Sequence, residues 1–181
     1  VLLAGWPKTV TTKGTITSSP ALADLDSTYP GLEIVMGVEA YGLEDRVYVW
    51  HSDGTDVTGW PKKINPVNGL FMDDVASTPA IGDIDGDGDM EIVFGSYDNN
   101  VYAFHHSGTI VAGWPKETNN WVISSPTLVD LDNDGDLEII VGSLDGYLFV
   151  WHDYGSSMIG CPQYFGSNGD FISSSAIADL N

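Results

Sequence analysis

Asp83-Ile84-Asp85-Gly86-Asp87-Gly88-Asp89-Met90-Glu91 places carboxylates at alternate positions, a glycine at the sixth and an acid at the ninth. Oxygen donors at this spacing wrap one Ca²⁺, and a glycine between them lets the backbone turn sharply. The pattern returns 47 residues later as Asp130-Leu131-Asp132-Asn133-Asp134-Gly135-Asp136-Leu137-Glu138. An EF-hand sets its last glutamate at position 12 and lies between helices. Here the acid falls at nine, between segments that read as strands. Carboxylates that converge without a counter-charge repel one another, so the pattern predicts structural calcium. Magnesium fits less well, because it demands near-octahedral geometry and keeps its waters. The side chains of Asp83, Asp85, Asp87 and Glu91, with the carbonyl of Asp89, form one candidate ligand set. Asp130, Asp132, Asp134 and Glu138, with the carbonyl of Asp136, form the other.

Each acidic stretch is part of a longer repeat. Gly5-Trp6-Pro7-Lys8 returns as Gly59-Trp60-Pro61-Lys62 and Gly113-Trp114-Pro115-Lys116, and decays to Gly160-Cys161-Pro162-Gln163. A second marker precedes each acidic loop: Ser18-Ser19-Pro20, Ser77-Thr78-Pro79, Ser124-Ser125-Pro126 and Ser173-Ser174-Ser175. The first acids of the four units, Asp24, Asp83, Asp130 and Asp179, are 59, 47 and 49 residues apart. Within a unit, short apolar runs alternate with turn residues, and no segment carries helical periodicity. In the second unit the expected strands are Thr78–Ile84, Glu91–Ser96, Val101–His105 and Ile110–Trp114. In the third, the later three are Glu138–Ser143, Tyr147–His152 and Ser157–Cys161. Four-stranded units of about 40–50 residues in series predict an all-β fold of β-propeller blades.

The expected organisation is residues 1–13 as the last strand of a preceding blade, then blades at 16–65, 75–119 and 122–168, and the start of another at 171–181. Ending inside a ligand loop, the chain reads as a piece of a larger propeller, with self-assembly as the other way to cover its open edges.

Composition narrows the partners. Acids number 26 against 6 bases, a net charge of −20. Such a surface repels nucleic acid and anionic lipid, so neither is expected as a partner. Fourteen of the 26 acids fall in the four loops, where bound cations would cancel much of their charge. No apolar run is long enough to span a bilayer, and a single cysteine, Cys161, excludes an internal disulfide.

Asp-x-Asp-x-Asp-Gly-x-x-acid followed by Ile-Val-x-Gly-Ser, as at 83–96, resembles the FG-GAP (VCBS-type) repeat. That repeat is the calcium-binding blade also found in integrin alpha-subunit propellers. The likeness extends over three units and two partial ones, and the Gly-Trp-Pro ending is similar to blades of secreted bacterial and archaeal propellers. The resemblance implies an extracellular, secreted or cell-surface module for adhesion or for binding a protein or glycan, without catalysis of its own. Alternatives are a calcium-stabilised part of a secreted polysaccharide-acting enzyme, or a structural subunit of a surface assembly.

The first loop departs from the pattern. Asp24-Leu25-Asp26-Ser27-Thr28-Tyr29-Pro30-Gly31-Leu32-Glu33 lacks the fifth-position acid and has one residue more. Asp24, Asp26 and Glu33 leave it a candidate weaker site, and Asp179 and Asn181 begin a fourth. Two calcium ions are therefore expected, with a third as an open case. His51, His105 and His152 each follow an aromatic residue at the end of a third strand, and a residue repeated in every unit serves the unit. The tryptophans of Gly-Trp-Pro form a repeat set of the same kind, read as packing between blades. No nucleophile elbow, metalloprotease motif or phosphate loop is present. Recognition is expected where the repeat breaks, on the face opposite the calcium loops, with Tyr41, Phe71 and Trp121 as candidate contacts.

Overall fold

The computed structural model describes residues 3–10, 15–25, 28–39, 46–64, 74–166 and 171–178. Their strands are β1 (Ala21–Ala23), β2 (Glu33–Val38), β3 (Arg46–Trp50), β4 (Lys62–Lys63), β5 (Ala80–Gly82), β6 (Glu91–Gly95), β7 (Asn100–His105), β8 (Lys116–Glu117), β9 (Thr127–Val129), β10 (Glu138–Gly142), β11 (Tyr147–Trp151) and β12 (Gln163–Tyr164). They form three four-stranded antiparallel sheets, β1–β4, β5–β8 and β9–β12, each in chain order. This is the expected all-β architecture of four-stranded, propeller-like blades. The first strand β5 adjoins both β1 and β9, so successive sheets meet along their inner edges. The second strands β6 and β10 are buried along their whole length, as their unbroken apolar runs require.

One apolar core fills the space between the first and second sheets, around Val35, Val49, Trp60, Ile92 and Phe94. The other lies between the second and third, around Val93, Ala103, Trp114, Ile139 and Val141. The Ser-x-Pro serines lock each blade at its inner edge. Ser77 donates its hydroxyl to the Gly95 carbonyl and accepts the Gly95 N–H, and Ser18 with Gly37 and Ser124 with Gly142 do the same. Because a hydroxyl there does the work of a ladder bond, the inner strand of the second blade pairs only over Ala80–Gly82, shorter than the expected Thr78–Ile84.

The outer strand differs from expectation more sharply. Ile110 and Ser157 each make one bridge, to Phe104 and Trp151, and regular pairing resumes only at Lys116–Glu117 and Gln163–Tyr164. Phe104 faces Ile110 whereas Val101 faces Lys116, so the outer edge carries three residues more than its partner. Gly113 takes a φ of 90°, and Pro115, after a cis peptide bond, has no N–H to offer the ladder. The bulge throws the tryptophan onto the next blade. Trp6, Trp60 and Trp114 donate their indole N–H to the carbonyls of Ser52, His106 and Asp153 at 3.1, 2.7 and 2.6 Å. Their rings meet Trp50, Phe104 and Trp151 edge-on, each at 5.8 Å. Only glycine fits the crossing: a Cβ on Gly59 or Gly113 would lie 2.2 or 2.1 Å from the carbonyl oxygen of Ser107 or Tyr154. Gly-Trp-Pro is thus a clasp between blades.

Candidate metal centres

Each acidic loop joins the first strand of its blade to the second. In the second blade Gly86 and Gly88 take φ of 71° and 97°; in the third, Asn133 and Gly135 take 62° and 104°. These left-handed positions, four and six, curl the chain so that alternate side chains converge. Within the loops, Asp85 and Asp87 cap the N–H groups two residues on, and Asp83 accepts the Gly88 N–H at 3.0 Å. Asp83, Asp85 and Asp87 come together with one oxygen each inside 4.8 Å, as do Asp130, Asp132 and Asp134. Asp83 Oδ1 and Asp130 Oδ1 are buried and have no hydrogen-bond partner. A buried carboxylate oxygen without a donor is costly, and a hard cation is the partner such an oxygen accepts. The donor set, all oxygen and all anionic at its centre, fits calcium.

Glu91 and Glu138 are placed differently from the aspartates. Each is fully buried, at 0% exposure, where the second strand begins. Oε2 of Glu91 accepts the N–H of Ile84, and Oε2 of Glu138 that of Leu131, at 3.0 and 2.8 Å. Oε1 faces Nδ1 of His105 or His152, at 3.0 and 3.1 Å. Asp85 with Glu91 and His105, and Asp132 with Glu138 and His152, form two further groups within 4.8 Å, so Asp85 and Asp132 are the members common to both clusters of their loops. Burial pushes the Glu91 carboxyl up, against the lowering effect of Ile84 N–H and His105. Loss of hydration, then the charges of Asp134, Asp153, Asp85 and Asp130, push Asp136 up as well. Negative charge is in excess here.

The histidines were legible only as repeat residues; their partner was not. The signal lies in the register. Glu91 and His105 are directly paired across β6 and β7, so the position-nine acid and the residue after the third-strand aromatic must meet. The same pair occurs in the first blade, where Glu33 takes the Leu25 N–H at 2.9 Å and faces His51 Nδ1 at 3.1 Å. There Asp24 is exposed, and Tyr29 stacks on His51 at 3.8 Å and donates its hydroxyl to Asp53 at 2.9 Å. His106, outside the repeat, lies 3.8 Å from Asp89.

Asp26, Asp179 and Asn181 lie outside the described residues, as do Tyr41 and Phe71. Trp121 is half-buried, its ring edge-on to Tyr97 at 4.8 Å and its carbonyl accepting the Leu144 N–H. It therefore sits among the turns between second and third strands, away from the acidic loops.

Residues 83–141 match the model of an FG-GAP-like repeat. The match runs from the second acidic loop through the third and into β10, so it takes in both clusters. No curated protein matches the chain. Among solved structures, the V. cholerae biofilm matrix protein Bap1 superposes with a TM-score of 0.62 at 22% identity, over 94% of this chain and 30% of that one. BamB from Moraxella catarrhalis gives 0.54 at 13% identity, over 86% and 39%. The chain thus spans well under half the length of either, and at these identities the likeness establishes the fold, a set of propeller-like blades. Among the described residues no helix is long and apolar enough to cross a membrane.

Proposed function

We propose that this chain is a calcium-stabilised, non-catalytic part of a β-propeller that acts outside the cell as an adhesion or interaction module for a protein or glycan. The observation that carries the calcium reading is the pair of aspartate clusters, each built around a buried oxygen with no hydrogen-bond partner. Asp83, Asp85, Asp87 and Glu91, with the Asp89 carbonyl, would hold one ion. Asp130, Asp132, Asp134 and Glu138, with the Asp136 carbonyl, would hold the other. Bound calcium would supply counter-charge and fix the loop.

The extracellular part of the reading draws on the fold-level likeness to a biofilm matrix protein and on calcium being abundant there, where even weak sites fill. The partner face is assigned to the turns opposite the acidic loops, with Trp121 as the described aromatic contact and Tyr41 and Phe71 as the others.

Calorimetric titration of the chelator-treated chain with CaCl₂ tests the core of this reading. Two ions per chain and a higher melting temperature are expected. Absence of both heat and melting shift would remove the calcium assignment. Substituting Tyr41, Phe71 and Trp121 together by alanine should abolish capture of the partner by the folded, calcium-loaded chain; unchanged capture would move the partner to another face.

A further inference from the structure

Position nine of the second and third loops is a glutamate, whose terminal torsion is broad and whose carboxylate rotates freely when nothing holds it. In this fold it is held twice. One oxygen of Glu91 is tied to the backbone N–H immediately after Asp83, and the other to an imidazole presented by the neighbouring strand. Glu138 is tied in the same way, to Leu131 and His152. An ionised carboxylate is an acceptor only, so Nδ1 of each histidine carries the proton, and each oxygen keeps a lone pair beyond its hydrogen bond. Nδ1 itself has none to give to a metal. At Nδ1, the nitrogen that faces the glutamate, the imidazole therefore offers the ion no ligand: its bond aims the glutamate toward Asp85 or Asp132, the aspartates it is grouped with.

We propose that His105 and His152 are positioning residues for calcium, setting the affinity of their loops through Glu91 and Glu138 without touching the ion. The inference rests on the reading that the second and third loops bind calcium. Hydrogen bonds that orient a metal-binding carboxylate are worth about 10–100-fold in metal affinity, and that is the size of effect expected. Both histidines are partly exposed, with side chains 29% and 23% accessible, so their replacement leaves the apolar cores in place.

The experiment compares the wild-type chain with two double variants, His105→Leu with His152→Leu, and His105→Asn with His152→Asn. Leucine removes the donor, whereas asparagine returns an amide N–H near the position of Nδ1. Calcium affinity is read by calorimetry, and melting temperature is read separately in chelator, where a merely structural role would appear. The expected result is about a 10–100-fold loss of affinity for the leucine pair, with most of it recovered by the asparagine pair at similar melting temperatures in chelator. Wild-type affinity in the leucine pair would overturn the proposal. So would equal losses in both pairs accompanied by equal falls in chelator melting temperature. Should the leucine pair fail to fold, the asparagine pair decides alone: folded and binding calcium within a few-fold of wild type it supports the proposal, and folded but weak it overturns it. A wild-type chain that takes up no calcium would instead bring down the underlying reading, before any variant is compared.

Discussion

The first acidic loop and its two successors are built on the same frame and filled differently. In all three a buried glutamate clamps the backbone at the loop's start and meets a histidine from the third strand. Between those ends, the second and third loops gather three aspartates each. The first has Thr28 at the fifth position and an additional residue, and Tyr29 braces it by stacking on His51 and bonding Asp53. The clamp therefore belongs to the blade, and the three-aspartate cluster proposed to take a cation is an insert between its ends. An aromatic brace ties down the first loop where the others are assigned an ion.

The largest effect is expected from emptying both inserts. Asp85→Asn with Asp132→Asn takes a charge from the member common to both groups of each loop. Each lost ion removes about 2.7 kcal/mol of stability at a calcium concentration 100 times its dissociation constant. Urea unfolding with and without calcium should show that difference vanish, while Asp24→Asn in the first loop leaves it intact. A calcium-dependent loss from Asp24→Asn would erase the contrast between loops.

A graft asks the converse. Replacing residues 24–33 by the nine residues 83–91 keeps the clamp, with Glu91's counterpart in place of Glu33, and exchanges the brace for a cluster. Calorimetric stoichiometry should rise from two ions to three, with a further gain of about 2.7 kcal/mol under the same excess. A grafted loop that folds and binds nothing would mean that the frame of the first blade differs in more than its insert.

Much of this was legible in the sequence because it was repeated. Recurring Ser-x-Pro-like and Gly-Trp-Pro-like markers announced four-stranded units in series, and alternate acids marked the loops. The outer strands were misplaced because the apolar run Ile110–Trp114 looks like a strand. Gly113 and the following Pro115 instead open a bulge whose purpose, reaching the next blade, is invisible within one unit. The role of the histidines was hidden for a related reason. A hydrogen bond between positions 91 and 105 depends on cross-strand register, which the hairpin turn sets, and the loop pattern alone does not contain it.

Glycine at the sixth position separates backbone cost from metal chemistry. Gly88 and Gly135 have φ of 97° and 104°, and a Cβ added to either would meet nothing within 4 Å. Alanine there should cost about 1–2 kcal/mol from the left-handed conformation alone, measured by urea unfolding in chelator. Asn133, at φ 62°, already carries a milder form of that cost, and Asn133→Gly should be neutral or slightly stabilising. A cost seen only with calcium present would show that the loops adopt this curvature only around the ion.

Acid should part the two kinds of loop without any mutation. The Asp53 carboxyl is lowered to about 2, first by the Thr55 hydroxyl, then by the Thr55 N–H and the Tyr29 hydroxyl. A depressed carboxyl stabilises the fold above its ordinary value near 4 and loses that contribution as pH falls through the folded value. The Tyr29–Asp53 hydrogen bond of the first loop is therefore expected to outlast ordinary carboxylate protonation as pH falls toward about 2. Glu91 is shifted the other way by burial, so protons take this buried member of the second loop above the ordinary glutamate range once the ion's charge is withdrawn. Calcium release, followed with an ion-selective electrode, should be complete while the Tyr29 ring resonances in NMR still report an intact stack on His51. If both change together, the brace and the clusters are parts of one cooperative unit, and the division between frame and insert has to be redrawn.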